Sequence, residues 1–173
     1  MKSPRLAASS IKMASSSGAS VGPLAMPDTF DLKRFVDAQR MVYANVVAEL
    51  TRGEKRSHWM WFIFPQVVGL GFSSMAERFA ITSPEEATAY LAHEVLGPRL
   101  RECTRLVLEV KDKTAHDIFG SPDDLKFRSS MTLFGAVADD PMFSEAISKY
   151  YAGEKDQATL GILARIAYKR RQP

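Results

Sequence analysis

The sequence has one cysteine, Cys103, among its 173 residues. A single thiol excludes an intrachain disulfide and a cluster of cysteine metal ligands, and it fits a reducing compartment such as the cytoplasm. The three histidines share no spacing such as His-x-x-x-His, so no metal site is predicted. They are His58, His93 and His116.

Long apolar runs are also absent. No stretch approaches the roughly 20 apolar residues that a membrane-spanning helix needs, so no membrane partner is predicted. Neither a Gly-x-Ser-x-Gly nucleophile motif nor a phosphate-binding Gly-x-x-x-x-Gly-Lys loop occurs. The net charge of +3 and the pI of about 9.0 are only mildly basic, which makes a nucleic-acid partner the last-ranked possibility.

Acidic residues are missing from the first 27 positions, which are rich in Ser and Ala. Such a segment cannot bury enough apolar surface to fold, so residues 1–27 are predicted to be a disordered extension. Organelle transit peptides share this composition, which leaves an organellar location open beside the cytoplasmic one. We place the folded domain at residues 28–168 and a basic tail at residues 169–173.

What remains is a succession of helix signals, without strand alternation of any length. Apolar residues recur every three to four positions from Leu32 to Leu50 and stop at Gly53, which predicts one long helix. Ser57 is placed to cap a short helix that ends before Pro65, because proline cannot continue it. In that continuous apolar stretch alone, a strand competes with the helix.

Proline-containing caps mark further helix starts. Ser83-Pro84-Glu85-Glu86 combines a capping hydroxyl, a proline at the first helical position and a glutamate at the third. Ser121-Pro122-Asp123-Asp124 and Asp140-Pro141 repeat the pattern, and Asp156 caps the last helix. The sequence therefore predicts an all-α fold: a single compact domain of about seven or eight short helices, not a simple four-helix bundle.

The segment from residue 55 to residue 71 mixes polar and aromatic side chains most densely. Cations at the start of a helix favour a bound phosphate or carboxylate, and a tryptophan can stack on a planar ligand. The candidates here are Lys55, Arg56, Trp59, Trp61 and Gln66 for ligand binding, and His58 as a general acid or base. Alternatively, the cations form a solvated turn and the aromatic side chains belong to the core.

A second polar group spans residues 123 to 132. Two aspartates suit the start of a helix, but a Ser-Ser-x-Thr run is a poor choice for an exposed helix surface. Its hydroxyls therefore serve either close packing or a ligand. The ligand-binding candidates in this group are Asp124, Arg128, Ser129 and Ser130.

Five groups of residues, taken in order, are similar to one family. They are His58-Trp-Met-Trp-Phe-Ile-Phe-Pro-Gln66, Gly69-Leu-Gly71, Ala89-Tyr-Leu-Ala-His93 with Leu96-Gly-Pro-Arg-Leu100, Ile118-Phe-Gly-Ser-Pro-Asp-Asp124 and Arg128-Ser-Ser-Met-Thr-Leu-Phe134. This order resembles the domain-of-unknown-function family 1810, whose bacterial members are often mislabelled calpastatin. The resemblance covers about residues 30 to 163 and implies a compact multihelical fold like that of a mycobacterial hypothetical protein. It implies no activity and no catalytic residues.

Two functions remain in view. The first is a site for an anionic small molecule, such as a nucleotide or an ADP-ribose-like compound, and it requires Arg56, His58 and Arg128 to lie on one face. The alternative is a non-enzymatic protein-interaction module. That module requires His58 and Arg128 to be tied into internal hydrogen bonds, with no pocket of some hundreds of Å³. Neither a cofactor nor an oligomeric state is predicted.

Overall fold

The computed structural model describes residues 27–172, so the predicted extension lies outside the described residues except for Pro27. Ten helices hold 66% of the described residues and no strand occurs among them, which confirms the all-α single domain. Seven of the ten have seven or more residues. The helices are α1 (Lys33–Arg40), α2 (Tyr43–Arg52), α3 (Met60–Ile63), α4 (Ser74–Arg78), α5 (Pro84–Ala92), α6 (Leu96–Glu109), α7 (Ala115–Phe119), α8 (Asp123–Val137), α9 (Pro141–Tyr151) and α10 (Gln157–Arg171).

The first predicted helix is two helices, α1 and α2, separated by Met41 and Val42. Neither glycine nor proline lies at this break, so tertiary packing must cause it. The buried side-chain amide of Gln39, near the end of α1, donates to the carbonyl oxygen of Phe62 in α3 at 2.8 Å and to the Tyr90 hydroxyl in α5 at 3.2 Å. α2 packs on α6 instead, so the two helices follow different neighbours.

The predicted caps are mostly formed. Ser83 and Asp156 accept hydrogen bonds from the backbone of their helices at 3.1 Å and 3.0 Å, and Asp140 does so at 3.2 Å. Two predicted caps are wrong. Ser121 is exposed and α8 begins after Pro122 without a side-chain cap, while the Ser57 hydroxyl bonds to residues of α2 and leaves the start of α3 uncapped.

Helix α8 organises the domain, because it packs against α5, α7, α9 and α10. Phe127 of α8 lies in an aromatic cluster, with its ring centroid 4.9 Å from those of both Phe64 and Phe119. Phe64 of the aromatic segment is thus buried in the core, where it packs against α8. The apolar run that also suited a strand forms only a single parallel bridge, between Val67 and Ile81, within the described residues.

Helix α10 lies at the edge of the domain. Among its residues Thr159 alone is buried, and Ile162, Leu163 and Ile166 are half-buried against the core. The helix continues through the basic residues to Arg171, and Arg170 forms an ion pair with Glu85. None of the helices within residues 27–172 combines the length and the apolar character that crossing a membrane requires.

Candidate functional site

A single buried carboxylate, that of Glu49, holds the segment before α3. It accepts hydrogen bonds from the backbone N–H groups of Arg56 at 2.8 Å and Ser57 at 3.1 Å, and from the Trp59 indole N–H at 2.8 Å. Burial works to raise the pKa of Glu49, but its hydrogen bonds, with that of the Ser57 hydroxyl foremost, outweigh burial and lower the pKa to about 2. Trp59 is 1% exposed, so its place is in the core and not against a ligand.

Two of the candidate side chains in this segment, those of Arg56 and His58, point to solvent. Arg56 is largely exposed and pairs with Glu54 at 3.0 Å, and His58 is exposed. Within residues 27–172, no hydrogen bond or ion pair joins either side chain to Arg128. The predicted grouping of Arg56, His58 and Arg128 is therefore not assembled by direct contact.

Arg128 and the hydroxyl run hold the start of α10 against α8. The Arg128 guanidinium donates to the carbonyl oxygens of Glu154 at 2.7 Å and Lys155 at 3.2 Å. The Ser129 hydroxyl lies 3.1 Å from the Asp156 carboxylate, and Thr132 accepts a hydrogen bond from the Asp156 backbone N–H at 2.9 Å. These side chains account for the polar run through contacts between helices.

Two further ligand-binding candidates, Ser130 and Asp124, lie among residues of the protein itself. Ser130 is fully buried, and its hydroxyl has no hydrogen-bond partner among the described residues. The Asp124 carboxylate lies 3.2 Å from Nδ1 of His116, and the Asp124 carbonyl oxygen accepts a hydrogen bond from the Tyr151 hydroxyl at 2.5 Å. We therefore assign Ser130 to the packing of α8, and Asp124 to the junction of α7, α8 and α9.

A groove of about 410 Å³ opens between the loop that follows α3 and the first turns of α8. We call it the Trp61 groove. Phe72 and Leu125 stand at its rim with exposed fractions of 85% and 57%. Its size is that of a small-ligand site, whereas the interaction-module hypothesis requires no such pocket. The lining residues used below are Trp61, Gln66, Phe72, Leu125, Lys126 and Ser129.

Three predicted ligand-binding residues meet in this groove: Trp61, Gln66 and Ser129. Sequence reasoning missed Phe72 and Lys126 as site residues. Lys126 stands in the polar run of α8 that drew attention to Ser129, so a signal for it was present. Phe72 carries no local signal, because only the fold brings the loop tip beside α8.

A cluster of three charged side chains lies beside the groove. The two Asp123 carboxylate oxygens contact the ammonium groups of Lys55 at 2.7 Å and Lys126 at 2.9 Å. The side chains of Lys55, Asp123 and Lys126 are 7%, 18% and 23% exposed, so the cluster is mostly buried. Burial works to raise the pKa of Asp123, but the hydrogen bonds from both lysines outweigh it and lower that pKa. With one carboxylate between two ammonium groups, the cluster keeps one uncompensated positive charge.

Lys126 is the member of this cluster that lines the groove. Its ammonium nitrogen is 5.0 Å from the centroid of the half-buried Trp61 ring, a distance at which the ring face attracts a cation. A carboxylate that does line the groove is that of Asp156, which accepts hydrogen bonds from the Thr159 backbone N–H at 3.0 Å and from hydroxyl groups. The dipole of α10 stabilises this second negative charge.

A second groove, of about 500 Å³, lies between α1 and the end of α5. It is lined by Phe30, Val36 and other apolar residues, and Asp37 pairs there with Lys33 and Arg40. None of the predicted ligand-binding residues lines it. Within residues 27–172, no three His, Cys, Asp or Glu side chains are placed to hold a metal ion.

Comparisons with known proteins agree with the motif resemblance. A family model described as protein of unknown function (DUF1810) matches residues 29–163. The crystal structure of the conserved hypothetical protein Rv1873 from Mycobacterium tuberculosis has 56% sequence identity to this chain and a TM-score of 0.79. The match covers 79% of this chain and 99% of that one. No protein among the curated sequences matches.

Proposed function

The chain belongs to the DUF1810 family, and we propose that it binds a small anionic molecule with a planar ring in the Trp61 groove. The observation that carries this proposal is the uncompensated positive charge of the Lys55, Asp123 and Lys126 cluster beside the groove. A positive charge that is mostly withdrawn from water favours an anion more strongly than a solvated surface lysine does.

Lys126 is suited to contact the anion. It shares Asp123 with Lys55, so when Lys126 turns toward a ligand, the carboxylate keeps the ion pair with Lys55 at 2.7 Å. Asp123 therefore keeps a counterion. A buried carboxylate left without one is the cost that usually opposes breaking a buried ion pair. This arrangement lets an anion compete for Lys126 at low cost.

The remaining groove residues suit a flat ligand. The half-buried Trp61 ring offers an aromatic surface, and aromatic pairs contribute about 0.5–1.5 kcal/mol beyond the area that they bury. The exposed Phe72 ring at the rim can cover a second face. Gln66 carries a donor and an acceptor in its side chain, while its backbone carbonyl oxygen already accepts from the Ile81 backbone N–H at 2.9 Å.

A thermal-shift screen of the full chain tests the proposal. The panel holds nucleotides, NAD, ADP-ribose, simple phosphates and aromatic carboxylates, each measured with the wild type and with Lys126→Met. A ligand at 100 times its dissociation constant adds about 2.7 kcal/mol to the free energy of unfolding. We expect at least one anionic compound to stabilise the wild type and to stabilise Lys126→Met less.

The control variant is Lys111→Met, which removes an exposed lysine that does not line the groove. It should respond to the panel as the wild type does. If no compound in the panel raises the unfolding temperature of the wild type, the proposal is wrong.

A protein-interaction surface is the second candidate, and the apolar rim of the groove favours it. Phe72, Leu125 and Val68 are 85%, 57% and 40% exposed, and exposed aromatic side chains are common anchors in interfaces. This candidate predicts that Phe72→Ser weakens binding to a partner protein while Lys126→Met has little effect. The reverse pattern, with a small anion as the ligand, supports the first proposal.

A further inference from the structure

We infer that the ligand of the Trp61 groove is a planar aromatic monocarboxylate and not a nucleotide carrying two or more negative charges. This inference rests on the proposed function and narrows it to one class of anion. It follows from the number of charges around the groove, from their accessibility and from the groove volume.

Among residues 27–172, the groove offers one cation that a ligand can reach. Lys126 lines it, whereas Lys55 is only 7% exposed and stands on the other oxygen of Asp123. The guanidinium of Arg128, the next cation along α8, is engaged by the carbonyl oxygens of Glu154 and Lys155. From the residues that the structure describes, a ligand that enters the groove therefore meets a single available positive charge.

The same groove also contains a negative charge. The Asp156 carboxylate is among the lining groups, and its hydrogen bonds to Thr159 and Ser129 hold it in place at the start of α10. A ligand with one negative charge can face Lys126 and keep away from Asp156. A diphosphate would bring a second negative charge into a partly buried site where the described part of the chain has no second cation free, and the like charge of Asp156 would repel it.

A carboxylate also matches the exchange that Lys126 has to make. In the free protein Lys126 donates to one oxygen of Asp123 at 2.9 Å, and with the ligand it would donate to an oxygen of the same chemical kind. The number of ion pairs is unchanged, because Lys55 stays on Asp123. A phosphate monoester dianion would leave one negative charge without a partner.

The volume of the groove also favours a ligand with a single ring system. About 410 Å³ lies near the lower end of the range for small-molecule sites, which suits one ring system against Trp61 better than two nucleoside units. The groove is therefore matched in size, in aromatic surface and in charge to an aromatic acid.

Four compounds with one ring system separate charge from shape: 2-naphthoate, 2-naphthamide, 2-naphthyl phosphate and 2-naphthylmethylamine. Isothermal titration calorimetry on the full chain measures their dissociation constants, with AMP and ADP alongside. We expect 2-naphthoate to bind about tenfold or more tightly than the carboxamide, because the anionic carboxylate adds a Coulomb attraction to the mostly buried Lys126 ammonium that the neutral amide lacks. It should also bind more tightly than the phosphate, the amine and both nucleotides.

Variants assign the preference to Lys126. Lys126→Met should bring the carboxylate and the carboxamide to equal affinity, Lys126→Arg should retain a preference for the carboxylate, and Lys111→Met should behave as the wild type. Higher salt should narrow the difference between the carboxylate and the carboxamide.

The contrary outcomes are distinct. Tighter binding of the phosphate, of ADP or of AMP than of 2-naphthoate overturns the monocarboxylate inference and leaves the anion-binding proposal standing. Equal binding of the carboxylate and the carboxamide by the wild type overturns both. Absence of binding by every compound, nucleotides included, removes the ligand site itself and with it the inference.

Discussion

The indole N–H of Trp59 donates to the carboxylate of Glu49 at 2.8 Å, and both side chains are at most 3% exposed. The same carboxylate receives the backbone N–H groups of Arg56 and Ser57. It therefore fixes the start of α3, with Trp59 directed into the core. Trp61, two residues later, is half-buried and lines the groove. The two tryptophans of the chain thus have different environments, and Glu49 holds the buried one.

The pH dependence of stability tests this role of Glu49. Its pKa in the folded protein, about 2, is below its ordinary value of 4.5, so the carboxylate stabilises the folded state above about pH 4.5. That contribution is lost as the pH falls toward 2. We expect Glu49→Gln to be less stable than the wild type at neutral pH, with a difference that shrinks on acidification. Urea unfolding, followed by circular dichroism at a series of pH values, measures this difference in the free energy of unfolding.

Glu109→Gln is the matched control, because Glu109 is exposed and, within residues 27–172, pairs only with Arg105 on the same helix. This substitution should change the free energy of unfolding by no more than about 0.5 kcal/mol at every pH. A stability difference between Glu49→Gln and the wild type that is small or independent of pH would contradict the role given to Glu49.

Local signals in the sequence predict where helices form, but not the break between α1 and α2. Ser83, Asp140 and Asp156 cap helices as predicted, because a side-chain cap depends on residues within one turn. The break between α1 and α2 has no such signal. It depends on Gln39 reaching the Phe62 carbonyl oxygen, a contact between distant segments.

The candidate site was predictable only in part, for the same reason. Trp61 and Ser129 were recognised as unusual where they stand in the sequence, and the fold brings both to one groove. Arg128 was equally unusual, yet its guanidinium meets backbone carbonyl oxygens 26 and 27 residues further along the chain. A sequence identifies polar residues that need partners, but whether the partner is a ligand or the protein depends on long-range packing.

Two glycines give a matched pair of opposite predictions. A Cβ added at Gly97 would lie 2.1 Å from the carbonyl oxygen of Leu91, which is backbone and cannot easily move aside. Gly161 lies in the exposed face of α10, and no atom of the described residues lies within 4 Å of an added Cβ. We expect Gly97→Ala to lower the free energy of unfolding by about 3 kcal/mol or more. Gly161→Ala should raise it by about 0.5–1 kcal/mol.

Chemical denaturation of both variants and of the wild type gives these differences directly. A Gly97→Ala protein as stable as the wild type would show that α5 and α6 do not approach each other this closely. A destabilised Gly161→Ala would contradict the exposed position of that residue.

Arg128 should act on stability and not on ligand binding. It joins α8 to the residues before α10 through two hydrogen bonds from a charged donor, with its side chain 25% exposed. We expect Arg128→Met to lose about 2 kcal/mol of unfolding free energy, because two carbonyl oxygens lose their partner. Arg165→Met, which removes an exposed arginine of α10, should change stability by less than about 0.5 kcal/mol.

The dissociation constant of any ligand found by the screen should be the same for Arg128→Met and the wild type, measured where both are fully folded. A large loss of affinity in Arg128→Met without a loss of stability would instead make Arg128 a ligand-binding residue, as its position in the polar run first indicated.

The two tryptophans provide a direct test of the groove by fluorescence. Trp59 is 1% exposed, whereas Trp61 is half-buried and lines the groove, so a soluble quencher such as acrylamide should reach Trp61 alone. We expect Trp61→Phe to remove the quenchable part of the emission and to keep the native far-ultraviolet circular dichroism. A ligand in the groove should protect Trp61 from the quencher in the wild type and should leave the emission of Trp61→Phe unchanged. Emission from Trp61→Phe that responds to the ligand as the wild type does would place the ligand elsewhere on the molecule.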